Sequence, residues 1–124
     1  SEIEYLEGYL RTELKDLFEA IKKYPVKALI GCSGTFETHL DMMDLKSKEN
    51  FVSEGIFRKN LNRLISSPLN ERLKISGLSP ERASMIVVAS ILLNYILAHL
   101  NFNGFRVSSN SLKEGMVYEF LESI

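Results

Sequence analysis

Val26-Lys27-Ala28-Leu29-Ile30-Gly31-Cys32-Ser33-Gly34-Thr35-Phe36 is the stretch on which the reading of this chain turns. It begins as a short β-capable run, Val26 to Ile30, and the run ends at Gly31. Gly34-Thr35 then opens a segment with Phe36, Leu40 and Met43 at helical spacing. Gly31 to Thr35 therefore reads as a tight loop from a strand into a helix. Its two glycines let backbone amides approach a ligand closely. The helix that follows presents unpaired N–H groups and the positive end of its dipole. Ser33 and Thr35 add hydroxyl donors. Such chemistry suits an anion such as phosphate, which makes Gly31, Ser33, Gly34 and Thr35 the candidate phosphate-binding residues. A plain tight turn capped by Thr35 has the same pattern.

Two sharper readings of the loop fail on spacing. A nucleophile elbow, Gly-x-Ser-x-Gly, needs glycine where Thr35 stands. A cysteine phosphatase loop needs an arginine closing it, and position 38 is Thr38. Cys32 then reads as a small apolar residue at a strand end.

On the N-terminal side, Ile3, Leu6, Leu10, Leu14, Leu17, Ile21 and Tyr24 follow at steps of three and four, which predicts one amphipathic helix ending at Pro25. Ser1 and Glu4 form a capping box, and Lys22 and Lys23 suit the negative end of the dipole. On the C-terminal side, 45 to 50 reads as a charged surface loop. Ser53 caps a helix with Ile56, Phe57, Leu61, Leu64 and Ile65 on one side. Ser67-Pro68 and Ser79-Pro80 are N-cap/N1 pairs. The first opens a short helix stopping near Gly77, and the second a long buried helix from Pro80 to about Leu100. Asn101 to Gly104 is turn chemistry. Phe105 to Ser108 is a second strand, and Ser111 with Glu114 boxes the final helix through Leu121.

Two strands joined through helices are expected to be parallel and covered on both faces. A lone parallel pair is poorly stable, so the sheet is expected to be incomplete, with strands supplied by residues upstream of Ser1 or by a partner chain. The absence of an initial methionine fits an excised piece.

The chain has 124 residues, one domain or part of one, with 45% hydrophobic and 25% charged residues. A formal net charge of −1 gives no drive for non-specific nucleic-acid binding. The basic residues Arg58, Lys59, Arg63, Arg72 and Lys74 read as a solvated helix face. A single cysteine and two histidines leave no internal disulfide and no Cys/His zinc spacing, which fits a reducing cytoplasm. Met85 to Leu100 reads as too short and too interrupted to span a membrane, and Ser1-Glu2-Ile3-Glu4 does not read as a signal peptide.

Other polar residues keep two readings each. His39, Asp41 and Asp44 match a metal site only in part and read as a solvated acidic face. His99 is a packing residue or a cation at a helix C-terminus. Arg82 in the first turn of its helix runs against the dipole, and calls for a structural salt bridge or a ligand contact.

With these residues placed, the chain from Val26 onward resembles the exopolyphosphatase/guanosine pentaphosphate phosphohydrolase (Ppx/GppA) family. The resembling stretches are Ile30-Gly31-Cys32-Ser33-Gly34-Thr35-Phe36, Ser76-Gly77-Leu78-Ser79-Pro80-Glu81-Arg82-Ala83 and Val107-Ser108-Ser109-Asn110-Ser111-Leu112-Lys113-Glu114-Gly115, in that order. Ser84, Ala89, Ser111 and Lys113 depart from the family's usual aspartate, glycine, glycine and arginine, as in a divergent member.

The resemblance implies an α/β chain: the helix-rich C-terminal piece of an actin-like (ribonuclease H-like) domain, with about two short parallel strands. Residues 1–124 would be a single domain, the C-terminal portion of a larger phosphatase. Such enzymes cleave phosphoanhydrides in polyphosphate or guanosine pentaphosphate with Mg²⁺, and a carboxylate of the first domain activates water. By this resemblance no catalytic or metal-binding residue lies in the chain, which keeps one wall of the cleft and is inactive alone. Glu114 has a sufficient role in its capping box. The expected partners are the phosphate substrate, the upstream catalytic domain and a possible second copy, with no membrane and no nucleic acid. The alternative is a non-enzymatic helical dimerisation or regulatory module. An Asp-x-Gly-Gly-Gly-Ser-type loop encoded upstream would discriminate in favour of the enzyme.

Overall fold

The computed structural model describes residues 1–43 and 50–124. The expected loop over 45–50 lies, except for Asn50, outside the described residues, as does Asp44.

Helix α1 (Glu2–Glu13) starts at the Ser1/Glu4 capping box. The single N-terminal helix of the sequence reading is two: α1 stops at Leu14, whose φ of −97° and ψ of 6° leave the helical region, and α2 (Lys15–Lys23) restarts from it. The break re-aims the second piece so that Phe18 stacks on His99 with ring centroids 5.4 Å apart. Packing decides this bend, and no proline or glycine marks it.

Strand β1 runs over Ile30–Cys32, later than the Val26-to-Ile30 run suggested. Its register is set by strand β3 (Gly104–Ser108), which it joins in parallel with Ile30 opposite Arg106 and Cys32 opposite Ser108. Val26 is instead half exposed. Between the two strands in sequence come α3 (Gly34–Asp41), β2 (Phe51–Ser53), α4 (Glu54–Ser66), α5 (Leu69–Arg72), α6 (Pro80–Ala83) and α7 (Ile86–Leu100). Helix α8 (Leu112–Glu122) ends the order.

β2 is the strand the sequence reading lacks. It pairs antiparallel with β3, Val52 opposite Phe105, which makes a three-stranded mixed sheet of order β1-β3-β2. Three residues are too few for an alternation pattern, and Ser53, read only as a cap, closes the strand and caps α4 through a 3.3 Å bond from the Ile56 N–H. β1 and β2 lie at the edges of the described sheet.

The long helix expected from Pro80 is also broken. α6 ends at Ala83, Ser84 and Met85 form a turn in the right-handed region, and α7 begins at Ile86. Ser67 closes α4 rather than opening α5: its hydroxyl donates to the Arg63 carbonyl at 2.7 Å, and Pro68 takes the N-cap.

One core cluster gathers Val52, Phe57, Leu61, Ile91, Leu93, Leu97, Phe105 and Val107 between sheet, α4 and α7. A second gathers Met42, Leu64, Ile75, Leu78, Ala83 and Ile86, from α4, α6, the start of α7 and the segments beside them. Gly77 reaches the second cluster at φ 86°, where a Cβ would lie 2.5 Å from the Asp41 carbonyl oxygen. Among the described residues no helix is long and apolar enough to cross a membrane.

Candidate functional site

The link between β1 and α3 is one residue. Ser33 sits at φ 72°, ψ −172°, a region populated almost only by glycine and costing a non-glycine residue on the order of 1–3 kcal/mol. It is the N-cap of α3, but its side chain makes no capping bond, and the first helical bond runs from the Glu37 N–H to the Ser33 carbonyl at 3.2 Å. The N–H groups of Gly34, Thr35 and Phe36 precede that bond and have no intrahelical acceptor. Thr35 is not the cap of a plain turn: it stands one residue inside the helix. Ser33 and Cys32 are exposed, and Gly34 and Thr35 are half-buried.

Gly31 is buried, and a Cβ on it would fall 1.9 Å from the Phe36 ring. That ring packs edge-on against Phe105 with centroids 5.3 Å apart. Gly31 therefore lets the helix fold back tightly over the strand, a packing role beside the one read from sequence. Gly34 has open space on its missing side chain, and the nearest atom to a Cβ there is Arg82 Nε at 3.9 Å.

Arg82 is the residue the sequence could not connect to the loop. From the short helix α6 its guanidinium lies across the first turn of α3. It donates from Nη1 to Thr38 Oγ1 at 2.9 Å, and Nη2 lies 3.5 Å from Glu37 Oε2. The Thr38 hydroxyl in turn donates to the Gly34 carbonyl at 2.8 Å. Of the two readings left open for Arg82, the structure shows the salt bridge, to Glu37, and it sets Nε on the open side of Gly34, 3.9 Å from where a Cβ would stand. The separation of 44 residues between Thr38 and Arg82 hides this pair from any local reading. Main-chain N–H groups and a planar cation together make a donor set for an oxyanion.

His39 is not on a solvated face. It is fully buried, with Nε2 2.7 Å from Ser90 Oγ and ring contacts to Phe57 and Phe105. The Asn60 amide donates to the His39 carbonyl at 3.2 Å and faces Nδ1 at 3.4 Å. Desolvation pushes the imidazole down to about 4, so it is neutral at pH 7 and bonds as a core residue. The burial of Thr38 and His39 turns this side of α3 inward. Asp41 remains exposed, and among the described residues no three His, Cys, Asp or Glu side chains converge on a metal position.

His99 lies exposed in the last turn of α7, and both of its readings stand. Its Nδ1 bonds the Tyr95 carbonyl at 2.8 Å, and its ring stacks on Tyr95 at 4.0 Å. Glu114 accepts from the backbone N–H and the hydroxyl of Ser111, both at 2.8 Å, and these bonds hold its carboxyl below the ordinary range. It is an ionised capping group. Of the basic residues on and after α4, Arg58 pairs with Glu54, and Arg72 donates to the carbonyls of Ala83 and Ser67 at 3.0 and 3.1 Å.

The profile of the Ppx/GppA phosphatase family matches residues 1–124. The chain is similar to a crystallised exopolyphosphatase from Cytophaga hutchinsonii, with a TM-score of 0.88 and 32% identity over 99% of this chain and 42% of that one. It is also similar to the Aquifex aeolicus member of the Ppx/GppA family, with a TM-score of 0.80 and 21% identity over 98% of this chain and 41% of that one. The type II variant of the Aquifex aeolicus phosphatase gives 0.68 and 20%, over 94% and 46%. The chain spans less than half the length of these relatives, and its helix-rich α/β architecture matches the actin-like fold of Ppx/GppA structures. Matched along its whole length and sharing that architecture, the chain belongs to the Ppx/GppA phosphatase family.

Proposed function

We propose that residues 1–124 are the C-terminal portion of a phosphoanhydride hydrolase acting on polyphosphate or guanosine pentaphosphate, and form one wall of its phosphate cleft. The observation that carries the reading is the uncapped start of α3 with the Arg82 guanidinium laid across it. In this reading the amides of Gly34, Thr35 and Phe36 and the hydroxyls of Ser33 and Thr35 face phosphate oxygens. Gly31 keeps the turn tight, and Arg82 supplies the positive charge. Preorganised donors of this kind stabilise charge on a transferring phosphoryl group without reorganising.

The described residues do not fit a metal site of their own. The proposal assigns Mg²⁺, the water-activating carboxylate and the remaining phosphate donors to the part of the enzyme that the solved relatives carry beyond this match. It also assigns the chain to the cytoplasm, where an exposed thiol at Cys32 stays reduced.

The test has two arms. Purified residues 1–124, with Mg²⁺ and either long-chain polyphosphate or guanosine pentaphosphate, should release no phosphate above the protein-free rate. Titration of the same protein with tripolyphosphate should shift amide resonances of Gly31 to Phe36 and the Arg82 side chain. Metal-dependent turnover would overturn the claim that the chain is inactive alone. Shifts confined to other surfaces would overturn the site.

A further inference from the structure

We propose that Thr38 is the positioning residue of this site, acting through Arg82; the proposal rests on the phosphate reading above. Thr38 is fully buried. Its hydroxyl hydrogen goes to the Gly34 carbonyl at 2.8 Å, and its oxygen receives Arg82 Nη1 at 2.9 Å. One small side chain therefore ties the first residue of α3 to the cation that lies over it.

A threonine hydroxyl has one hydrogen and two lone pairs. With the hydrogen committed to Gly34, a lone pair is what faces the guanidinium. The acceptor is thus oriented before any ligand arrives. Among the described residues, Arg82 would otherwise be held by Glu37 alone, across 3.5 Å and with both side chains more than a third exposed, an ion pair that solvent screens and that contributes little orientation. The bond to Thr38 is the part-buried one, so it fixes the direction of the guanidinium. Glu37, on the solvent side of the same cation, is the group an incoming phosphate displaces. Thr38 then keeps the guanidinium aimed while Glu37 leaves.

The test compares Thr38→Val, Thr38→Ser and Arg82→Ala with the parent in the full chain, by titration calorimetry with sodium tripolyphosphate. Valine keeps the buried volume and removes both hydrogen bonds, and serine keeps them. Thr38→Val should weaken binding about tenfold, the loss of one hydrogen bond to a charged group. Thr38→Ser should restore it to within about twofold, and Thr38→Val should cost nothing further in an Arg82→Ala background, because the two residues act as a unit. A thermal melt of each variant confirms the fold. Equal binding by Thr38→Val and the parent overturns the positioning role and leaves the phosphate site standing. Equal losses from Thr38→Val with and without Arg82 also overturn it. Absence of tripolyphosphate binding by the parent overturns the phosphate reading itself, and this proposal with it.

Discussion

Single residues carry more of this molecule's chemistry than its elements do, and His39 shows how. A histidine beside Asp41 on a short helix looks like a solvent-facing group. Its ring instead closes a buried polar junction with Ser90 and Asn60, between α3, α4 and α7. Burial lowers its proton affinity in the folded state, to about 4 from 6.5. In the unfolded chain it takes a proton near pH 6.5, so between those values the unfolded state binds more protons and stability rises with pH. The contribution is complete above pH 6.5 and is lost as pH falls towards 4, a difference of about 3 kcal/mol. Urea midpoints measured from pH 7 to pH 4 should fall accordingly, and His39→Gln should flatten that slope; an unchanged slope would show that another group titrates. The neighbouring Ser33 records a different constraint. Its positive φ is a strain that no sequence pattern announces, since glycine would be the expected residue.

At the scale of elements, the β1–α3 unit is governed by one contact. Gly31 has no side chain because Phe36 folds back over it, and Phe36 reaches there because Ser33 turns the chain within a single residue. Gly31→Ala places a methyl inside that ring's volume and should destabilise the fold by about 1–3 kcal/mol. The companion change Phe36→Leu should recover part of the loss in the same denaturant melt, and an additive double variant would mean the ring is not what Gly31 accommodates. The helix starts at Ser1, Ser53 and Ser79 were legible, because capping and N1 proline chemistry act over four residues. The breaks at Leu14 and at Ser84-Met85 were not. Each lies inside a continuous apolar spacing, and the chain bends there to bring distant surfaces together.

The whole molecule has two contrasting ends. The site end packs around His39, Phe57 and Phe105, whereas α8 has no buried residue at all. Leu112, Met116, Val117, Phe120, Leu121 and Ile124 of that end are between 57% and 87% exposed. A contiguous apolar surface of this kind binds apolar dyes in an otherwise folded protein. The chain should therefore enhance anilinonaphthalene sulfonate fluorescence at neutral pH while keeping a cooperative melt. The double change Phe120→Glu with Leu121→Glu should remove most of that signal. Undiminished fluorescence would place the dye elsewhere, for instance at the cleft of about 290 Å³ between Phe18, Ile21, Val26 and His99.

What the sequence determined by itself was local. Apolar periodicity set helical segments, serine caps and the N1 proline Pro80 set the starts of α1, α4 and α6, and the glycine-bearing turn after a β-capable run marked a candidate anion loop and one of the three stretches that carry the family resemblance. The parallel pairing of β1 with β3 followed from connection length. Only the tertiary structure decided the third strand, the inward turn of His39 and the meeting of Arg82 with Thr38 and Gly34. The physical reason is one of range. Propensity, capping and turn chemistry act within about one helical turn, whereas burial and side-chain hydrogen bonds join residues that are neighbours in space alone.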